Sequence, residues 1–288
     1  MSVDNKRMIK IHADKIILNN EKNFDIKSIL ECGQVFRYVK YAENNYGVFS
    51  LDKYARVTQK VDDVEIITDN PQYFYDYFDL DRDYGNITQK VAVNDIMSRA
   101  VEYGQGIRLL NQDLTEIIFS FILSSNNNIK RIQKIIECLC LELGEKTKYG
   151  HAFPTLEALA GKDKIFYCEK GCGYRADYIH KTAKMLLDGF DINELKNLST
   201  AEARKSLLTL SGVGGKVADC ILLFGLKRAD VFPVDTWIEK VYENHFSDGI
   251  KLSPQKISEF FVKKFGEYSG YAQQYLFYFE RESIAKQR

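Results

Sequence analysis

Apolar residues recur at every second position in several short runs near the start of the chain, and at every third or fourth position through most of the rest. The runs KIILN (15–19), QVFRYVKY (34–41), YGVFSL (46–51), YARVTQK (54–60) and VEIIT (64–68) are rich in β-branched and aromatic residues. Polar turns separate them, including the Asn-Asn pair at 44–45. This pattern predicts strands. FDIKSILECG (24–33) has helical spacing and predicts a helix stopped by Gly33. From about residue 88 helical periods dominate, as in DLTEIIFSFILSS and IKRIQKIIECLCLELG, and residues 154–200 hold shorter helices interrupted by GKDK and GCG. The final periodic segment, YAQQYLFYFE, is strongly aromatic. Strands first and helices after predict an α+β fold, with residues 1–95 as a sheet domain and 96–288 as a helical one. No internal repeat or low-complexity linker interrupts the chain.

One stretch departs from simple periodicity. In LLTLSGVGGKVADC (207–220), helical spacing stops at SGVGG and resumes near Gly215. Gly212 and Gly214 can adopt positive φ without steric cost, which lets two helices join through a very short link. The spacing L-x-x-L-x-G-V-G-x-x-x-A is that of a helix-hairpin-helix element, here covering 203–226. Free amides at the start of the second helix suit a phosphate; an ordinary αα-hairpin is the other reading. Lys216 is stranger, because a cation in the first turn opposes the helix dipole. Either it points to water or its free amine is a nucleophile, and local sequence favours water. Cys220 shares its face at i,i+4. Downstream, VFPVDTWIEKVYENHF (231–246) predicts a helix beginning after Pro233, with Asp235 as its N-cap. That carboxylate is also a candidate partner for Lys216 in moving protons or charge.

Composition narrows the classes without naming one. The 288 residues are 45% hydrophobic, enough for a sizeable core, and 40 Lys+Arg balance 40 Asp+Glu. Zero formal charge argues mildly against a nucleic-acid binder, an objection that weakens where amides and helix N-termini hold the phosphates. No apolar run reaches the length of a membrane span, and the N-terminus lacks a signal core. The expectation is a soluble intracellular protein, in the cytoplasm or nucleoid of a prokaryote or the nucleus of a eukaryote. Six cysteines, at 32, 138, 140, 168, 172 and 220, form no C-x₂-C pair and suggest no zinc site.

Taken together, LSGVGGKVADC and FPVD resemble the helix-hairpin-helix DNA glycosylases that carry a Gly/Pro-Val-Asp motif. The likeness is greatest to the 8-oxoguanine DNA glycosylase/AP lyases. GQVFR (33–37), GIRLLNQDLTEIIFSFILSSNNNIKRI (106–132), GCGYRADYI (171–179) and GYAQQYLF (270–277) extend it in the same order over about residues 30 to 280. The resemblance implies an antiparallel, TATA-binding-protein-like sheet domain packed on a two-lobed helical core with the active site between the lobes. It implies that Lys216 attacks the sugar and Asp235 assists, giving base removal and strand nicking. In the base pocket, Gly33 matches the carbonyl that accepts the N7 proton of 8-oxoguanine. Cys220 and Phe277 match the pair that sandwiches the base, and Gln273 the amide that reads its Watson–Crick edge. On the opposite strand, Asn126 matches the gap filler and Tyr174 the wedge. Arg131 and Arg175 match readers of the orphaned base, so cytosine is the expected partner. Gly212 and Gly214 belong to the DNA-gripping hairpin. The backbone carbonyls of Leu208, Leu210 and Val213 match positions that can hold a structural cation.

Otherwise the family implies no required cofactor, a monomer, and double-stranded DNA with oxidised guanine as partner. An iron–sulfur cluster of the related type is excluded by the lack of cysteines after Cys220. Three departures stand out: Ser211 replaces the usual hairpin proline, Gly215 a threonine common in animal enzymes, and Trp237 a common histidine. Two other readings stay open at this stage: a DNA-binding hairpin protein without catalysis, and a glycosylase for another damaged purine such as an alkylated one. The first would not need Lys216 and Asp235 together; the second would not need the four base-pocket residues.

Overall fold

The computed structural model describes residues 8–285. Six strands form one antiparallel sheet in the order β1-β2-β6-β5-β4-β3. They are β1 (Met8–Ile11), β2 (Lys15–Asn19), β3 (Tyr38–Ala42), β4 (Asn45–Ser50), β5 (Lys53–Lys60) and β6 (Asp63–Ile67). The alternation that predicted these strands is the burial of a single face. Ile16 and Leu18 of β2 pair with Ile66 and Val64 of β6, and all four are buried. That face is covered by α1 (Ile26–Glu31) and α2 (Pro71–Tyr77), whose Ile26, Ile29, Leu30, Phe74 and Tyr77 complete a first core.

The sheet differs from expectation in two places. β1 is a short and largely exposed edge strand, and the expected runs did not include it. QVFRYVKY is strand only from Tyr38 onward. Its first part alternates because it runs between two cores: Val35 packs into the sheet core, whereas Phe36 packs into the helical one.

The helical core begins with α3 (Tyr84–Val91) and α4 (Asp95–Tyr103). At its centre lie α5 (Leu114–Ser124) and, further on, the second hairpin helix. α6 (Ile129–Leu143) follows, then short α7 (Leu156–Ala160) and α8 (Lys164–Glu169), α9 (Arg175–Leu187), and the hairpin helices α10 (Thr200–Leu207) and α11 (Gly215–Gly225). The last three are α12 (Thr236–His245), α13 (Pro254–Phe265) and α14 (Ser269–Ala285). α5 and α11 are apolar almost all round, which is how a helix buried between others reads. Their contact is close: Phe121 and Phe224 stack with centroids 5.3 Å apart. A Cβ on Gly225 would stand 2.9 Å from Leu114 Cδ1.

Buried polar groups tie the sheet to the helices. Arg37 and Glu116 form an ion pair at 3.4 Å with both side chains under a tenth exposed. Arg37 also donates to the carbonyls of Leu51 (3.1 Å) and His151 (2.8 Å), and Glu116 accepts the Leu51 amide at 2.9 Å. Burial raises the Glu116 pKa, against the pull of Arg37. Removing one partner strands a charge in the interior. Arg37→Met is therefore expected to lower unfolding stability by about 3–5 kcal/mol, and Arg37→Met with Glu116→Gln to recover a large part of that loss. Urea midpoints of the two variants test this; equal losses would refute it.

Candidate active site

The turn after α1 is fixed by its neighbours. Gln34 is fully buried. Its amide nitrogen donates to the carbonyls of Ile29 (3.0 Å) and Arg108 (2.7 Å), and its side-chain oxygen accepts the Leu110 amide at 2.9 Å. The backbone carbonyls around it are taken in turn. Glu31's accepts from Arg281, Cys32's from Gln274 and Gln34's from Gln112. Within 31–34 the carbonyl of Gly33 alone receives no hydrogen bond from the described residues. Gly33 has φ +86°, and a Cβ there would lie 3.1 Å from Phe277 Cε1 and 3.1 Å from Arg281 Nη1. Both conformation and space require glycine.

That turn forms one wall of a cleft lined also by Lys216, Cys220, Asp235, Gln273 and Phe277. All six residues named for catalysis and base binding thus face a single cavity. The cavity these six residues enclose is narrow, about 40 Å³, and a wider cleft of about 430 Å³ opens beside it past Asn127, Asn128 and Trp237. Lys216 enters from the first turn of α11. Its Nζ lies 3.4 Å from Ser124 Oγ and 5.2 Å from the centroid of the Phe121 ring. Asp235 caps α12 as expected, accepting the amides of Trp237 (3.1 Å) and Ile238 (3.0 Å). Burial raises its pKa above the ordinary carboxyl value, opposed by the Ile238 amide and then by the charge of Lys216. Burial likewise pushes the Cys220 thiol up to about 11, against the Lys216 charge, so the thiol is neutral. Gln273 Oε1 is buried with no hydrogen-bond partner among the described residues.

Sequence reasoning missed Phe121, Ser124, Gln274 and Arg281. The first two end a helix that reads as core throughout. Arg281 reads as an ordinary charge one turn after Phe277.

The three asparagines at 126–128 divide the work of one sharp turn. Asn126 takes a left-handed conformation, φ +46°. Asn127 donates to the Leu123 carbonyl at the end of α5, and Asn128 caps α6 through the Arg131 amide, each at 3.0 Å. Tyr174 is exposed at the tip of its own turn, its hydroxyl donating to the Ser125 carbonyl at 3.0 Å. Arg131 reaches the Gly171 carbonyl at 3.2 Å. Arg175 is turned inward: it is 3% exposed and donates to the carbonyls of Ser125 (Nε, 2.7 Å) and Asn126 (Nη2, 2.6 Å). In this structure it holds the asparagine turn instead of presenting its fork outward.

The backbone requires glycine at only one of the two hairpin positions. Gly212 has φ +80°, and a Cβ there would lie 2.6 Å from the Cβ of Tyr178 on α9. Gly214, expected to share that conformation, has φ −91° and is the N-cap of α11, with no side-chain capping bond. A Cβ on it would meet nothing within 4 Å, so the α11 amides stay open to a ligand. Ser211 contributes its carbonyl, which accepts Thr182 Oγ1 of α9 at 2.8 Å. Beneath the turn, Arg204 Nε donates to buried Asp219 at 2.6 Å and locks α10 to α11. Leu210's carbonyl accepts the Val213 amide at 3.2 Å. Those of Leu208 and Val213 accept no hydrogen bond from the described residues. Among the described residues no three His, Cys, Asp or Glu side chains converge to hold a metal. No described helix is long and apolar enough to cross a membrane.

Comparison with known proteins agrees with this geometry. Residues 16–118 match the family model for the 8-oxoguanine DNA glycosylase N-terminal domain, and residues 119–267 that for HhH-GPD superfamily base excision DNA repair proteins. The chain belongs to the 8-oxoguanine DNA glycosylase family. A probable N-glycosylase/DNA lyase of Methanothermobacter thermautotrophicus is 32% identical, over 83% of this chain and 81% of that protein. The N-glycosylase/DNA lyase of Saccharomyces cerevisiae is 29% identical over 90% of this chain and 84% of its own. The fold matches the crystal structure of the Clostridium acetobutylicum 8-oxoguanine glycosylase/lyase bound to duplex DNA with cytosine opposite the lesion. There the TM-score is 0.91 at 37% identity, covering 96% of this chain and 98% of that one. The family's α+β architecture, a six-stranded antiparallel sheet on a helical hairpin core, is the one described above.

The partly buried carboxylate of Asp235 gives a stability test of this family's cleft. A carboxyl whose folded pKa is raised weakens the fold once ionised, and the penalty disappears as pH falls through that raised pKa. Asparagine keeps an oxygen for the two cap bonds. Asp235→Asn should therefore match or exceed the wild-type melting temperature at pH 7, with the two converging on acidification. A variant less stable at pH 7 would refute the assignment.

Proposed function

We propose that this protein removes 8-oxoguanine from double-stranded DNA, with cytosine preferred opposite the lesion, and then nicks the abasic strand by β-elimination. The observation that carries this reading is the single cleft that holds the Lys216 amine, the Asp235 carboxylate and the free Gly33 carbonyl.

A base must leave the duplex to enter such a cleft. Between Cys220 and Phe277, an extruded purine meets Gly33 on its imidazole side and Gln273 on its Watson–Crick edge. 8-oxoguanine carries a proton on N7 and guanine does not, so a carbonyl acceptor there favours the oxidised base, and the unpaired Gln273 oxygen gains a donor. The uncharged amine of Lys216 forms a bond to C1′ as the bond from C1′ to the base nitrogen breaks, and the departing base takes a proton. Asp235, held rigidly by its cap bonds, stabilises the positive charge that develops on the sugar. Opening of the bond between C1′ and the ring oxygen leaves an imine between C1′ and Nζ. Loss of a C2′ proton then expels the 3′ phosphate, its electron pair leaving with the C3′ oxygen. A cleft with the carboxylate alone would deliver water and stop at the abasic site; the lysine adds the second activity.

Around the cleft, the hairpin turn at Gly212–Gly214 and the open amides at the start of α11 grip the backbone of the damaged strand, and Leu208, Leu210 and Val213 are the carbonyls to which a structural cation would bind. Asn126 fills the gap, Tyr174 wedges the stack and Arg131 reads the orphaned cytosine. Arg175 offers a second fork once it exchanges its carbonyl bonds for base acceptors.

Borohydride reduction traps an imine covalently. The wild type should give a protein–DNA adduct on duplexes bearing 8-oxoguanine and Lys216→Gln none, while Asp235→Asn should excise at least about 100-fold more slowly. An adduct that persists in Lys216→Gln would identify another nucleophile. In the same assay with each of the four bases opposite the lesion, cytosine should lead, and Arg131→Ala should narrow its lead by about tenfold. Equal rates against all four bases in the wild type would remove the opposite-base assignment.

A further inference from the structure

The base-pocket residues assigned so far leave one strong donor unused. Arg281 lies one turn beyond Phe277 on α14 and also lines the mouth of the cleft. Its guanidinium is fixed on three sides. Nε donates to Glu282 at 3.0 Å, Nη2 donates to the Glu31 carbonyl, and the plane stacks over the Phe277 ring at 5.2 Å. Nη1 is buried and has no partner among the described residues, although a guanidinium carries two N–H donors on that nitrogen. Tying α14 to the turn after α1 needs only Nη2, so that structural role leaves Nη1 unexplained. Its position accounts for it. Nη1 lies 3.1 Å from where a Gly33 Cβ would stand, beside the backbone whose free carbonyl is the acceptor for N7–H.

The geometry points to Arg281 as a specificity-determining residue: Nη1 donates to the keto oxygen adjoining the N7 proton of the extruded purine. Both oxygens that flank N7–H, at C6 and at C8, are of this chemistry. With Gly33 as acceptor and Arg281 as donor, the site presents the pair of groups that an N–H beside a C=O requires. An unpaired buried guanidinium N–H gains a strong, charge-assisted bond only when such a base is bound. The inference rests on the reading of the cleft as an 8-oxoguanine site.

Strand nicking at a ready-made abasic site involves no base, and so supplies an internal control. Arg281→Gln and Arg281→Leu should slow single-turnover excision of 8-oxoguanine opposite cytosine by about 10- to 100-fold. Each preparation should nick a base-free abasic duplex within about threefold of wild type, and Arg281→Lys should recover part of the excision rate. Losses of equal size in excision and nicking would mean a merely structural arginine and overturn the assignment, as would unchanged excision in all three variants. 8-oxoadenine, with an amine at C6 and the keto oxygen at C8, separates the two acceptors. A selective loss that persists on it assigns the contact to C8, and one that vanishes assigns it to C6. A wild-type protein that nicks abasic DNA but leaves 8-oxoguanine in place would fail the substrate reading before any Arg281 variant is compared.

Discussion

The cleft depends on how one chain reversal is held. The turn from Glu31 to Gln34 lies where the sheet core, the helical core and α14 meet. Side chains from distant parts of the chain take up the carbonyls on either side of Gly33. Buried polar groups are costly unless paired, so each of these bonds fixes the turn against both cores. The acceptor that remains is backbone, with no rotamer to lose when a ligand donates to it. Arg37, three residues beyond the turn, pairs with Glu116 of α5 and so joins the sheet side to the helical side. A preorganised acceptor of this kind avoids reorganisation at the moment of binding.

The two residues proposed to react, Lys216 and Asp235, line the same cleft and are set by a different device. Lys216 and Asp235 both stand at helix starts, where backbone amides are unsatisfied. Asp235 uses that environment: two amides hold its carboxylate in place and partly offset its desolvation. Lys216 resists it, and is instead held by Ser124 and the face of Phe121. The α5–α11 contact, tight enough to require Gly225, sets the distance between these groups. Misplacement by an ångström at such a site has a large effect on rate, so the apolar packing behind the cleft belongs to the chemistry as much as the polar groups do.

Much of this was readable from residues alone, and the limits are instructive. Strands with one buried face announced themselves, as did the helix capped by Asp235. The segment 34–37 misled because two separate cores, one on each side, imitate the period of a strand. The hairpin was legible because its glycines and spacing are local. The pairing of Lys216 with Asp235 was one candidate reading of two helix starts, and the resemblance to known motifs singled it out, since local sequence alone favoured a solvated lysine and a plain N-cap. Ser124 stood hidden 92 positions from Lys216, and Arg281 looked like one more charge on an aromatic helix. Arg175 shows the reverse limit: its residue type suggests an outward fork, but the carbonyls that turn it inward depend on a left-handed Asn126 that no pattern marks.

The uncapped start of α11 has one further effect. Amides and a helix dipole displace few condensed counterions when they meet a phosphate, in contrast to a row of lysines. In a chain with no net charge, a phosphate grip of this kind would depend less on ionic strength than one built from lysines.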